Sequence, residues 1–369
     1  MSQTIAVSFS QNQVRWKSVL SLAALNAAVV ISWIAYHNYQ PKLLEKFSFT
    51  DLSGFLVIAQ AIILCCIPPV AGWVSDRLAQ AKGGQFAVFT VGISVTAMTF
   101  MAVAFTISGV SFDFLKPALP VMIVIWLVSM NIFNSPANSM LELFAPSQHL
   151  PSAMAVITLI TELLYALEPV VVYIVDFVGA TFTFILGGTL LVTTAYFFRK
   201  NTDELVVVSK TTAQTKKEHE QNIPLVIGYA LLFGLANAVL LNIFPEILAD
   251  RLTFLQSETL EGKHYVSILL AISALAALPI SKYVEQIGLT KSLNMSFAGL
   301  LLSGLSVFGL GGNLAGIFAI IYALAFSMLS VTALPFAIGR LNPRNLTFGI
   351  GIFYGCFELA DGLMNIFGN

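Results

Sequence analysis

The sequence is short of charge. Only 10% of its 369 residues are Asp, Glu, Lys or Arg, while 57% are hydrophobic and the mean hydropathy is +0.85. A soluble domain carries about 25% charged residues. So few charges cannot cover a water-facing surface of this size, which excludes soluble enzymes, nucleic-acid-binding modules and disordered chains. The net charge of -1 leaves no basic excess for a nucleic-acid partner. Cysteine is scarce as well. Cys65, Cys66 and Cys356 all lie in apolar stretches, with neither a disulfide framework nor metal-ligand spacing. The four histidines, His37, His149, His219 and His264, are scattered. A Walker glycine loop, a paired-histidine motif and a Gly-x-Ser-x-Gly elbow are all missing, so no enzyme, metal site or cofactor is expected. The N-terminal MSQTIAVSFSQNQ is too polar for the core of a cleavable signal peptide. The alternating ten-residue segments of a β-barrel are absent too.

Long apolar runs dominate instead. A spanning helix needs about 20 apolar residues, so at roughly 30 residues per span the length allows about 12. Eleven runs stand between polar breaks, at 17–39, 53–74, 86–108, 118–141, 152–176, 180–198, 224–246, 264–282, 292–310, 314–337 and 345–367. Backbone groups in a bilayer must be satisfied internally, so each run is read as a helix. With the N-terminus in the cytoplasm, thirteen of the 18 Lys and Arg residues fall on the inside, Arg77, Arg199, Lys216, Arg340 and Arg344 among them. The outside keeps five: Lys42, Lys46, Lys116, Arg251 and Lys263. That bias predicts a cytoplasmic N-terminus in a plasma membrane.

The longest polar stretch, Arg199 to Asn222, divides the chain. It predicts a six-helix bundle over 1–198, a cytoplasmic linker over 199–223 and a second bundle over 224–369. The halves repeat one another weakly. Asn26 and Asn237 lie 211 residues apart, as do Pro68 and Pro279. Further on the offset is 196, which aligns Asn131 and Asn134 with Ser327 and Ser330, and Thr158, Glu162 and Tyr165 with Tyr354, Glu358 and Asp361. A parallel duplication of six-helix units accounts for this spacing. It calls for a twelfth span, whereas the sequence stops at Gly368-Asn369 (a short second copy or a missing end).

The loop after the second span reads PPVAGWVSDRLAQAKGGQF. Its Gly72-x-x-x-Asp76-Arg77, followed by a basic glycine-containing turn, resembles the loop 2–3 signature of the major facilitator superfamily. The glycine after the arginine is displaced to Gly83, a single Lys82 stands where two basic residues are common, and the repeat of the loop, SKYVEQIGLTKS, lacks the Asp-Arg pair. The resemblance implies an all-α polytopic fold of two bundles, with six plus five helices where six plus six are expected. It also implies a gate role for Gly72, Asp76 and Arg77; the alternative is that Asp76 and Arg77 are cytoplasmic anchors. Within the superfamily, IPPVAGWVSDR and NSPANSMLELFAP look like the glycoside–pentoside–hexuronide symporters and their sucrose-transporter relatives. The acidic cation ligands those symporters carry in span two have no counterpart here, where span two offers Gln60.

Intramembrane polar residues carry the functional reading. A carboxylate at a helix centre costs about 2.5–3.5 kcal/mol on insertion scales, and needs a partner, a cavity or a proton. At 100° per residue, Thr158, Glu162, Tyr165 and Glu168 share one face of span five, and Tyr354, Glu358 and Asp361 share one face of span eleven. These four carboxylates, Glu162, Glu168, Glu358 and Asp361, are candidates for proton coupling; the alternative is that they brace helix contacts. Asn131, Asn134 and Asn138 form a polar arc in span four, and Ser327 and Ser330 stand at the matching places in span ten. Asn26, Trp33 and His37 share an arc of span one. The resemblance implies that spans one, four, seven and ten line a central cavity. Asn26, Trp33, His37, Asn131, Asn134, Asn237, Ser327 and Ser330 then become candidate solute-binding residues, although amides and hydroxyls also serve as interhelical glue. Amides, hydroxyls and a stacking Trp33 suit a sugar or polyol, and the lack of Lys or Arg at span centres disfavours phosphate esters and dicarboxylates. The expected function is secondary transport of a small polar solute, with protons, by a lipid-embedded monomer. A non-transporting sensor or scaffold on the same fold, or a drug or metabolite exporter, is the alternative.

Overall fold

The computed structural model describes residues 13–82, 84, 86–108, 113–212, 221–252 and 262–367. Gly83, part of the linker and the last two residues therefore lie outside the described residues. The described residues form fourteen α-helices and no strand. These are α1 (Trp16–Lys46), α2 (Ser53–Lys82), α3 (Ala87–Ile107), α4 (Leu119–Ile132), α5 (Asn134–Ser139), α6 (Leu150–Ala166) and α7 (Glu168–Val178). They continue as α8 (Ala180–Thr212), α9 (Ile223–Ala238), α10 (Phe244–Arg251), α11 (Gly262–Ile287), α12 (Leu289–Gly309), α13 (Asn313–Ile338) and α14 (Leu346–Phe367). Among the described residues eleven segments are long and apolar enough to cross a membrane, one for each expected run.

Three spans are two-piece helices, and proline explains each break. A proline supplies no N–H to the carbonyl four residues earlier and its ring crowds that carbonyl. Pro136 separates α4 from α5 at Phe133, and Pro169 separates α6 from α7 at Leu167. In the seventh span Pro245 follows a π-helical turn, Val239–Ile243, between α9 and α10. Glu162 and Glu168 thus sit on opposite sides of a joint rather than on one straight face. The polar stretch after Arg199 also differs from expectation at its start, because α8 stays helical to Thr212.

Within the first half, α1 packs on α6 and α8, and α3 on α4 and α8. In the second, α13 packs on α11 and α12, and α9 on α14. The halves meet along two seams, α2 against α14 and α6 against α11 and α13. The end carrying Trp16, Asp76 and Arg340 is called the linker side below.

The α2–α14 seam is a contact of backbones. A Cβ added at Gly72 would run into the Thr347 carbonyl, one at Gly351 into the Pro68 carbonyl, and one at Gly355 into the Cys65 carbonyl. Such small residues let membrane helices approach closely enough for dispersion to hold them, since lipid offers no hydrophobic drive to pair. Pro69 contributes directly: its missing N–H leaves the Cys65 carbonyl free on the face that meets Gly355. Ser135, from α5, donates to the Pro68 carbonyl at 2.9 Å and ties the fourth span to the same seam.

Enlarging this seam should be costly. Gly351→Leu is expected to lower the melting temperature of purified protein by about 5 °C or more, through overpacking against backbone that cannot yield. Gly228→Ala, where an added Cβ meets nothing within 4 Å, should leave it unchanged. Equal melting curves for wild type and Gly351→Leu would contradict the close approach.

Candidate functional site

On the linker side, Asp76 reaches from α2 to the start of α14. Its carboxylate accepts hydrogen bonds from the Phe348 amide at 2.8 Å and the Thr347 amide at 3.3 Å. These are N-terminal amides with no partner inside their own helix, and the helix dipole favours an anion there. Asp76 is buried. The neighbouring Arg77 turns its guanidinium over the Trp73 ring, 4.0 Å from the centroid. The Ser139 and Thr347 hydroxyls lie 3.3 Å apart, and Gln80 donates to the Arg344 carbonyl at 2.8 Å. At the other seam Ser152 donates to Glu285 at 2.6 Å, and His149 Nδ1 lies 3.3 Å from the same carboxylate. Both seams are therefore fastened at this end.

Glu162 sits deeper, on α6. Its side chain is 8% exposed, and Ser273 of α11 and Ser330 of α13 bring their hydroxyls up to its carboxyl. Neither hydroxyl reaches good hydrogen-bonding geometry. Glu162 Oε2, Ser273 Oγ, Ser330 Oγ and Thr158 Oγ1 are all buried without a hydrogen-bond partner. Thr158 stands one turn away on the same face of α6. Most buried polar atoms in proteins are paired, so four unpaired ones together are unusual. Ser327, one turn earlier than Ser330 on α13, is spoken for: it donates to the Ser273 carbonyl at 2.7 Å.

The amides of the first half form a chain. Asn26 donates to Asn138 Oδ1 at 3.2 Å, and Asn138 donates to Asn134 Oδ1 at 2.6 Å. Asn131 is buried and donates to the Leu127 carbonyl of its own helix at 2.8 Å. Asn237 is half-buried on α9. Trp33 belongs to an aromatic cluster, edge-on to Trp126 at 5.2 Å and stacked with His37 at 5.7 Å.

Away from the linker side, Asn242 donates to Asp361 at 3.1 Å, and Asp361 also acts electrostatically on His37. Glu358 is half-buried and influences both Tyr165 and Tyr354. Glu168 is exposed beyond the Pro169 joint, with Lys263 as the cation acting on it. The structure thus brings Glu162 and Ser330 together, and separately groups Glu358, Asp361 and His37. Ser273 and Glu285 escaped sequence reasoning. Ser273 is a lone hydroxyl in the apolar run AISALAAL, and nothing there reveals that it faces a carboxylate on another helix.

A family model described as Major Facilitator Superfamily matches residues 18–364. Among solved structures, the human organic anion transporter MFSD10 (TETRAN) is 14% identical, with 94% of this chain and 92% of that one covered and a TM-score of 0.69. The proton:xylose symporter XylE, bound to 6-bromo-6-deoxy-D-glucose, is 13% identical, with 96% and 88% covered and a TM-score of 0.67. A bacterial homologue of the iron transporter ferroportin, in an outward-facing state, is 14% identical, with 96% and 91% covered and a TM-score of 0.69. No curated protein matches by sequence.

The Asp76 contact yields a stability prediction. Asp76→Ala leaves a buried amide at Thr347 and a half-buried one at Phe348 unpaired, at a cost of about 1–3 kcal/mol. Its melting temperature should fall by several degrees, and Asp76→Asn, which keeps one acceptor oxygen, should fall by less. Asp250→Ala, at a side chain 85% exposed, should not change it. A fall for Asp250→Ala equal to that for Asp76→Ala would remove the special role of the α14 amides.

Proposed function

The chain belongs to the major facilitator superfamily and is a membrane transporter; from that premise we propose that it moves a small polar solute by proton-coupled alternating access. The observation that carries this reading is Glu162. It is an acidic side chain, buried, mid-span, with an unpaired carboxylate oxygen, and it stands on the seam between the halves. A carboxyl at such a seam exchanges its proton with whichever side the seam opens to. Carriage of charge by a carboxylate in an apolar medium is costly, so loading and unloading of the proton ties solute movement to the pH gradient. Glu358, its counterpart by the internal repeat, supplies a second carboxyl on the α2–α14 seam, and Asp361 and Glu168 extend the path away from the linker side.

The gate on the linker side is formed by Gly72, Asp76 and Arg77 with the amide terminus of α14. Opening it breaks two charge-assisted bonds and separates backbones that touch, so the closed form has a defined energetic advantage to be offset by bound solute. We place the linker side in the cytoplasm of the plasma membrane, on the Lys/Arg bias, with the described conformation closed toward it. The units that move are the bundles over 1–198 and 224–369, joined by the linker over 199–223.

For the solute we infer a sugar or glycoside. Asn26, Asn134 and Asn237, all half-buried, supply amides, and Trp33 with His37 supplies flat faces for stacking on a ring. Asn131 and Ser327 are fully buried as well as bonded to backbone carbonyls, and in this reading they hold helices rather than solute, whereas Asn26, which also donates to the Leu22 carbonyl at 3.0 Å, is half-buried.

The test uses purified protein in sodium-free proteoliposomes, with a solute chosen by melting-temperature screening across sugars, nucleosides, peptides and drugs. A one-unit pH gradient should drive up to about tenfold accumulation, the limit for one proton per solute. Glu162→Gln should retain solute exchange and lose the pH-driven accumulation. Undiminished accumulation in Glu162→Gln would remove Glu162 from the coupling step, and wild-type transport indifferent to pH would remove protons altogether.

A further inference from the structure

The donor set around Glu162 goes beyond what a proton needs. A proton occupies one carboxyl oxygen. Here two carboxylate oxygens and the hydroxyls of Thr158, Ser273 and Ser330 offer up to five oxygen donors from three helices, α6, α11 and α13. All four residues are at least nine-tenths buried, with relative exposures of 2% for Thr158, 8% for Glu162, 0% for Ser273 and 5% for Ser330. Each also has a side-chain oxygen without a partner. Oxygen-only shells of this size suit hard cations, and hydroxyls whose nearby acceptor is the Glu162 carboxyl can turn their lone pairs inward once a cation takes the proton's place.

Charge selects the valence. The long helices packed on α6 are α1, α11 and α13; α7 and the short turns Met140–Leu143 and Ser147–His149 also touch it and bring Glu168, Asp176, Glu142 and His149, none of which acts on the Glu162 carboxyl. Between Lys17 and Tyr36 α1 has no ionisable residue, and between Tyr265 and Lys282 α11 has none. Along α13 only Tyr322 is ionisable, and its hydroxyl is committed to the Ala236 carbonyl at 2.8 Å. Glu358, Glu168 and Asp361 act on Tyr165, one turn along α6, but Glu162 is the one carboxylate among these hydroxyls, and one positive charge neutralises it. A divalent ion would leave a net charge buried in an apolar medium, which is expensive.

We propose that Glu162, Thr158, Ser273 and Ser330 form a binding site for a monovalent alkali cation of sodium's size, which competes there with the proton. The site spans both halves, with Thr158 and Glu162 from the first and Ser273 and Ser330 from the second. A cation bound at it draws the α6 seam together, and separation of the halves takes the shell apart and releases the ion. The proposal rests on the assignment of Glu162 as the coupling carboxyl but concerns which ion it holds.

The probe is sodium chloride against choline chloride at equal ionic strength, read as melting temperature of the purified full chain. Sodium should raise the melting temperature by several degrees in a saturable way, as a ligand of the folded state does. The apparent sodium affinity should weaken toward acid pH, by up to about tenfold per unit, as protons compete for the same carboxyl. Ser330→Ala and Thr158→Val, which remove one oxygen each with little change in volume, should weaken it at least tenfold. Glu162→Gln should abolish the response, and Ser306→Ala, at a half-buried hydroxyl bonded within its own helix on α12, should keep it. Identical sodium and choline curves in wild type, or a full sodium response in both Ser330→Ala and Thr158→Val, would overturn the site. Proton coupling is scored separately, by pH-driven accumulation without sodium, so loss of either property leaves the other measurable.

Discussion

The touching backbones of α2 and α14 set the frame on which the other contacts depend. With no side chain between Gly351 and the Pro68 carbonyl, or between Gly355 and the Cys65 carbonyl, the two helices have one depth at which they fit. That depth puts the first turn of α14 beside Asp76, close enough for a carboxylate to accept two of its amides. It also brings α5 in, through Ser135 and the Pro68 carbonyl. In lipid, where burying apolar surface gives no net gain, such geometric fit carries much of the weight that a hydrophobic core carries in water.

Glu162 and Glu358, which the 196-residue offset aligns, sit in different surroundings. Glu162 lies on a seam of three helices, closed in by small hydroxyl residues, and its carboxyl meets no charged group on those helices. Glu358 lies on the backbone seam, half-buried, with Asp361 one turn on and Tyr165 and Tyr354 nearby. Aligned positions therefore carry different chemistry. The first environment sets one carboxylate among hydroxyls on three helices. The second is open to the polar residues away from the linker side, Asn242 and His37 among them.

Much of this architecture is legible in the sequence, because its strongest signal is hydropathy and a bilayer permits one response to it. The eleven runs become eleven spans for that reason. The joints at Phe133 and Leu167 are harder to see. Pro136 and Pro169 are plain in the sequence, but an apolar window runs straight across both, and proline in a membrane helix either bends or is absorbed. Polar residues are legible as to depth and face but not as to partner. Asn131 and Asn138 lie on one arc and both donate to a carbonyl one turn back, yet only Asn138 also accepts from another helix, at Asn26. Ser273 was missed because an isolated hydroxyl among alanines and leucines looks like packing until α6 is set against it.

The backbone seam also bears on how such a chain can change over generations. A contact made by side chains restricts identity: a larger residue on one helix can be matched by a smaller one opposite. A contact made by carbonyls at Thr347, Pro68 and Cys65 offers no side chain to shrink in return. Compensation is closed off there, and Gly72, Gly351 and Gly355 face a ceiling on size that no substitution on the facing helix can raise. Drift is pushed toward the lipid-facing flanks, where Ile62 and Val70 of α2 are free to exchange for any apolar residue.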